Sequence, residues 1–296
     1  MARPVHLVIT DSGLGGLAIC AGIEQAVRLA GSGGALRITY VNAWPDDHHG
    51  YNDLSGMPAQ AAVFDRALAA IDAMRPDRIL IACNTLSIVY AHTAHSRRAT
   101  VPVEGIVSCG VELFEAALRE RPSAGLVLIG TRTTVDSGVH LAALHRLGIA
   151  DGRVAAASCH GLATAIEADI AGARTDALIA TCAENVAAVA TGRDTIYLGL
   201  GCTHYGLVAA RLAAAVEART GRGTVPLDPN RRLVEQFVAH WSAGGVETGD
   251  GSASVSVVSK VTLPAAKCAN VARALAEVSP ATAAALRAYA HDPALF

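Results

Sequence analysis

Short apolar runs, glycine-rich or small-polar turns and helical patterns follow one another along this chain. Residues 5–10, 37–42, 78–82, 102–107, 125–130, 153–157, 195–200 and 224–227 each read as a strand, and most lead into a helical pattern. The clearest helices are 17–30, and 58–74 with proline in its first turn, where the missing N–H costs little. A further helix starts near Pro229. This alternation predicts an α/β fold with largely parallel sheets. The strands read as continuous apolar runs, as expected when both faces are buried. Right-handed crossovers place the strand C-termini along one edge of each sheet, the edge where open α/β sheets bind ligands. Asp11, Cys83, Gly130-Thr131 and Cys202 all fall at such ends.

Breaks in the pattern suggest boundaries near 104–109 and 218–224, the second at the loop-like Arg219-Thr220-Gly221-Arg222-Gly223. The Gly- and Ser-rich stretch 244–254 reads as a loop, and the segment 255–261 with two Ala-rich helices reads as structural. With 296 residues the chain has room for about two domains. Its hydrophobic content of 52% owes much to alanine, and aromatics make up only 4%, so helices are expected to pack closely on small side chains. A net charge of -2 gives no basis for nucleic-acid or membrane attraction. No stretch approaches the roughly 20 apolar residues of a membrane span, and residues 1–10 are too short for a signal peptide. Seven scattered cysteines without a CxxC pair do not form a secreted disulfide framework. The expectation is free thiols in a reducing cytoplasm.

Three segments could carry chemistry. Asp11-Ser12-Gly13-Leu14-Gly15-Gly16 is a glycine-rich turn whose N–H groups suit an anion. It departs from GxGxxG spacing, and its leading acid would repel a phosphate, so a carboxylate ranks above a nucleotide, with a plain tight turn as the bland alternative. Cys83-Asn84-Thr85 and Cys202-Thr203-His204 each place a thiol at a strand end before small polar residues. A helix N-terminus or a nearby proton acceptor tunes such a thiol, whereas most free cysteines are inert core residues. Two at analogous strand ends favour function. Two thiols facing one carbon could remove a proton from one side and return it to the other. Cys202-x-His204, Cys159-His160, His48-His49 and His92-x-x-His95 lack zinc-site spacing, and His92 and His95 read as surface residues of the helix after Cys83. A redox pair of Cys83 and Cys202 would need their sulfurs to meet.

The three segments resemble the signature motifs of the glutamate racemases, members of the cofactor-independent aspartate/glutamate racemase superfamily. The similarity spans roughly residues 5–240, with weaker matches at 101–106 and 129–134 and at Cys159 with Glu167. It implies two similar α/β domains facing each other, 1–104 plus 219–296 and 105–218, each with a mainly parallel sheet flanked by helices and with the site in the cleft between them. It further implies that Cys83 and Cys202 are the acid/base pair. Asp11 would assist Cys83, while Glu167 and His204 would assist Cys202. Ser12, Asn84, Thr85 and Thr203 match substrate-binding positions. The implied reaction is racemisation of an amino acid without pyridoxal phosphate or a metal, most simply of glutamate for cell-wall synthesis, and no lysine stands out as a cofactor anchor. The implied partner is a small amino acid or dicarboxylate, with a homodimer permitted. Another superfamily activity, or a binding protein without turnover, is the rival reading.

The chain departs from the family after its second strand. The usual Asp-Thr…Pro-Tyr-Gly segment is replaced by a loop containing Trp44-Pro45-Asp46-Asp47-His48-His49-Gly50-Tyr51-Asn52. Gly50 and Tyr51 would contact the far end of the substrate, and His48, His49 and Asn52 could read a different side chain. Gly206 and Cys109 stand where the family usually has proline.

Overall fold

The first strand, β1 (Val5–Asp11), is buried along nearly its whole length and pairs in parallel with a neighbour on each side. The computed structural model describes residues 3–31, 35–190, 194–243 and 252–296, with the side chains of 242 and 243 also left aside. The turn after β1 leads into α1 (Leu17–Ala30), whose apolar face carries Leu17, Ile23 and Val27. Gly31 ends α1 in the left-handed region at φ 59°, a conformation glycine adopts without a Cβ penalty. β2 (Leu36–Asn42), α2 (Met57–Ala73), β3 (Arg78–Ile81), α3 (Asn84–Tyr90) and β4 (Val103–Gly105) continue the alternation.

The next elements are α4 (Ile106–Glu120), β5 (Gly125–Gly130), α5 (Arg132–Asp136), α6 (Val139–Arg146), β6 (Val154–Ser158), α7 (Leu162–Ala168), α8 (Ala173–Val189), β7 (Thr195–Gly201), α9 (Ala209–Thr220) and β8 (Gly223–Leu227). After α10 (Pro229–Ala243) come β9 (Ala253–Ser259), α11 (Ala265–Leu275), α12 (Pro280–Arg287) and the two-residue β10 (Ala290–His291). Ser279 starts α12, its Oγ accepting the Thr282 N–H at 3.0 Å, with Pro280 at the first helical position.

Two compact units result, Met1–Ile106 with Leu233–Phe296, and Val107–Arg232. The first holds a six-stranded sheet in the order β10-β9-β2-β1-β3-β4, and the second a four-stranded sheet in the order β6-β5-β7-β8. All strand pairs among the described residues are parallel. Within each unit the first strand is flanked by the second on one side and the third on the other, with the fourth outside the third. That order creates a switch point at the C-terminal ends of β1 and β3, and again at those of β5 and β7. Pro226 falls on the edge strand β8, where its missing N–H forfeits no interior ladder bond.

Several sequence expectations shift. The strand expected over 102–107 covers only Val103–Gly105, because α4 starts at Ile106. The return to the first unit, expected at 218–224, comes at Leu233, because β8 pairs with β7 and stays in the second sheet. Of the loop expected over 244–254, residues 244–251 lie outside the described residues, and β9 already begins at Ala253. His92 and His95 lie beyond α3, and His95 is buried rather than a surface residue, with Nε2 3.1 Å from Asp72 Oδ1. The expectation of free thiols throughout is also corrected. Cys159 and Cys182 form a disulfide joining the β6–α7 loop to α8, while Cys20, Cys83, Cys109, Cys202 and Cys268 are free and buried. Sequence spacing concealed that pair because the crossing of α8 against β6 sets it.

Candidate active site

In the first unit the chemistry gathers where β1 and β3 end side by side. Thr10 pairs with Ile81, and Ala82 N donates to Thr10 O at 2.9 Å, so Asp11-Ser12 and Cys83 emerge next to each other. Ser12 Oγ lies 3.1 Å from Cys83 Sγ, within hydrogen-bond reach. Burial pushes the Cys83 thiol well above its ordinary pKa and the neighbouring Asp11 carboxylate adds to the shift, while the Ser12 contact opposes it. Cys83 therefore favours its protonated form. Asn84 and Thr85 form the first turn of α3 directly behind the thiol, and both are buried. Gly16 permits the tight turn around Asp11, since a Cβ there would sit 2.8 Å from both Asp11 Oδ2 and Ala82 Cβ. Tyr40, which the motif reading did not single out, donates from its hydroxyl to Gly13 O at 2.6 Å and pins the same turn.

The loop after β2 brings Gly50 and Tyr51 into this unit's core. Tyr51 is 2% exposed, meets Phe64 edge-on, and shares a packed cluster with Cys83. Its phenolic oxygen is buried and has no hydrogen-bond partner among the described residues. Burial, and secondarily the charge of Cys83, raise its pKa far above the ordinary tyrosine value. Gln60 Nε2 fixes the Tyr51 carbonyl at 2.7 Å. His48 and His49 point the other way in burial terms, both being exposed on a turn where Asp46 Oδ1 accepts their backbone N–H groups at 2.8 Å. Asn52 is half-buried.

The second unit presents a different thiol environment. Cys202 follows β7, and Thr203–Val208 makes a short 3-10 turn before α9. His204 Nδ1 lies 3.5 Å from Cys202 Sγ, and His204 Nε2 lies 2.7 Å from Glu167 Oε1 on α7. Both His204 and Glu167 are buried. Burial alone would lower the imidazole pKa. The hydrogen bonds to Cys202 and Glu167, with their charges, outweigh it and hold His204 well above its ordinary value. The imidazolium so favoured donates from both ring nitrogens, to the Cys202 sulfur and to the Glu167 carboxylate. Asn230 Nδ2 holds the Thr203 carbonyl at 2.9 Å, and Tyr205 donates to Cys159 O at 3.1 Å. Asn230 carried no sequence signal, because its partner Thr203 lies 27 residues back, on the far side of α9 and β8. Among the described residues, no three of His, Cys, Asp and Glu gather in a way that could hold a metal ion.

These features define a class: an α/β protein of two units sharing one strand order, each presenting a buried free cysteine at the end of its third strand beside proton-handling groups. The model of the Asp/Glu/Hydantoin racemase family matches residues 9–237, and the chain belongs to that family of racemases, which are isomerases. Curated relatives include a glutamate racemase of Chlorobaculum tepidum, 26% identical over 72% of this chain and 71% of its own length. Another from Aquifex aeolicus is 25% identical over 81% and 85%. Among solved structures, a glutamate racemase from Bacillus anthracis has the same fold at a TM-score of 0.70, with 19% identity, 92% of this chain covered and 94% of that one. One from Francisella tularensis, solved in complex with D-glutamate, has a TM-score of 0.68 at 15% identity, with 93% of each chain covered. No described helix is long and apolar enough to cross a membrane.

Proposed function

We propose that this racemase inverts the α-carbon of glutamate, with Cys83 and Cys202 as the acid/base pair. The observation that carries the reading is the pair of matched strand-end thiols, each with its own partners: Asp11 and Ser12 at one, His204 and Glu167 at the other. In one direction Cys202 takes the Cα proton and the Cys83 thiol delivers a proton to the opposite face; in the other the roles exchange. An amino-acid Cα–H is a very weak acid, so the developing carbanion needs positioned donors. Ser12, Asn84, Thr85 and Thr203 supply hydroxyl and amide groups for the substrate's charged ends. The raised pKa of Cys83 suits the proton-donating role at rest. The glutamate racemases among its relatives support glutamate as the substrate, and D-glutamate for cell-wall synthesis as the product's use. A homodimer in a cytoplasmic setting fits the same reading.

One observation favours a second substrate. The loop lacks the Pro-Tyr-Gly order, and it buries Tyr51 while exposing His48 and His49. On this second reading a different amino acid or a hydantoin takes the place of glutamate. Purified protein in deuterated water, given L-glutamate, D-glutamate, aspartate and hydantoins in turn, is expected to exchange and invert the Cα position of glutamate fastest. Cys83→Ser and Cys202→Ser should each lose inversion by about a thousandfold, given the usual weight of a positioned proton donor or acceptor. Full racemisation by either variant would remove that residue from the mechanism, and exchange of another substrate alone would replace glutamate.

A further inference from the structure

We propose that Lys260 and Phe296 form a strap that holds the loop 44–51 in its substrate-binding position. The inference rests on the racemase reading for what the loop binds, and it adds positioning residues far from both thiols in sequence.

The strap is built by strand register. Asn42, the last residue of β2, pairs with Ser259, the last residue of β9, and Asn42 Nδ2 donates to Ser259 Oγ at 2.9 Å. On the other side of β9, Ser259 pairs with His291 of β10. Asp11 pairs with Asn42 in turn, so four neighbouring strands reach the functional edge in line. The loop begins two residues past β2, and Lys260 sits one residue past β9. Its ammonium donates to Pro45 O at 3.0 Å and lies 4.6 Å from the centre of the Phe296 ring. His291 Nε2 donates to the Lys260 carbonyl at 3.2 Å, which fixes the backbone from which the side chain reaches.

The other end of the strap is apolar. Leu295 and Phe296 pack against the cluster containing Tyr51, Phe64 and Cys83. The loop has no regular element of its own before Tyr51. Most of its other restraints are local: Asp46 caps the turn, Asp53 Oδ2 accepts the Gly50 N–H at 2.8 Å, and Trp44 packs so closely on Gly50 that a Cβ there would sit 2.8 Å from the indole. Ala43 N donates to Asp11 O at the loop's start. Lys260 therefore supplies the middle of the loop with an anchor from a distant segment. A long-stemmed cation can meet a carbonyl and an aromatic face together.

The test is made in the full chain carrying Trp241→Phe, which leaves Trp44 as the single indole reporter of the loop. In Lys260→Met and Phe296→Leu, acrylamide quenching of Trp44 should rise at least about twofold, and KM for glutamate about tenfold with kcat little changed, as expected when binding geometry alone is lost. Lys260→Arg should restore both readouts, which a purely structural loss of stability would not. The quenching readout needs no turnover, so a failure of the glutamate reading (no Cα exchange by the parent protein) is separable from a failure of the strap. Unchanged quenching in Lys260→Met, or loosened quenching with an unchanged KM, would overturn the proposal.

Discussion

Cys83 and Cys202 are chemically identical side chains made different by their neighbours. A carboxylate and a hydroxyl surround the first, and an imidazole tied to a carboxylate adjoins the second. His204 offers the sharper test. Its pKa is raised in the folded protein, so protonation favours the native state. That stabilisation is complete below the unfolded value of about 6.5 and is lost as pH rises through the folded value. Glu167→Gln keeps a hydrogen-bonding group but removes the charge, and should cost about 2 kcal/mol near pH 6, shrinking as pH rises. His204 in the variant should titrate at lower pH by NMR, because burial then acts with less opposition. A pH-independent stability difference would reject the ion pair. At this scale Asp11, Ser12, Cys83, Asn84, Thr85, Cys202, Thr203 and His204 were legible in the sequence, since each sits within a few positions of a strand end. Tyr40, Gln60 and Asn230 were not, because a backbone carbonyl distant in sequence gives each its role.

The turn after β7 shows how elements are tuned to one another. Gly206 lies against Asp228, the residue after β8, so that a Cβ at 206 would meet Asp228 Oδ2 at 2.6 Å. Asp228 Oδ1 meanwhile accepts the Asn230 N–H at 3.0 Å at the start of α10, and Asn230 holds the Thr203 carbonyl. The glycine at 206 is thus explained by the carboxylate beneath it. Gly206→Ala should destabilise the protein by about 2 kcal/mol through overpacking. In a double-mutant cycle with Asp228→Ala, the combined loss should be smaller than the sum of the single losses. Additive losses in chemical denaturation would show that the two sites do not touch. The disulfide lies at the same scale. Cys159 and Cys182 are 23 residues apart in sequence, and only the packing of α8 beside β6 brings them together.

At the scale of the molecule, the second unit is continuous in sequence while the first is completed by the final stretch of chain. β9 covers the open side of β2, and α12 packs on α1, with Thr282 Oγ1 3.8 Å from Cys20 Sγ. A fragment of residues 107–232 should therefore fold alone and unfold cooperatively by circular dichroism. A fragment of residues 1–106 should not, because it leaves a hydrophobic strand edge and helix face uncovered. The reverse outcome would contradict the division into units.

The sequence by itself determined the α/β alternation, most strand positions, the three motifs and the family, because continuous apolar runs and strand-end residues are local signals. It could not determine the disulfide, the burial of His95, the pairing of β8 with β7, or the reach of Lys260 to Pro45. Each of those depends on which strands lie side by side and in what register, and strand adjacency is a property of the folded chain rather than of any stretch within it.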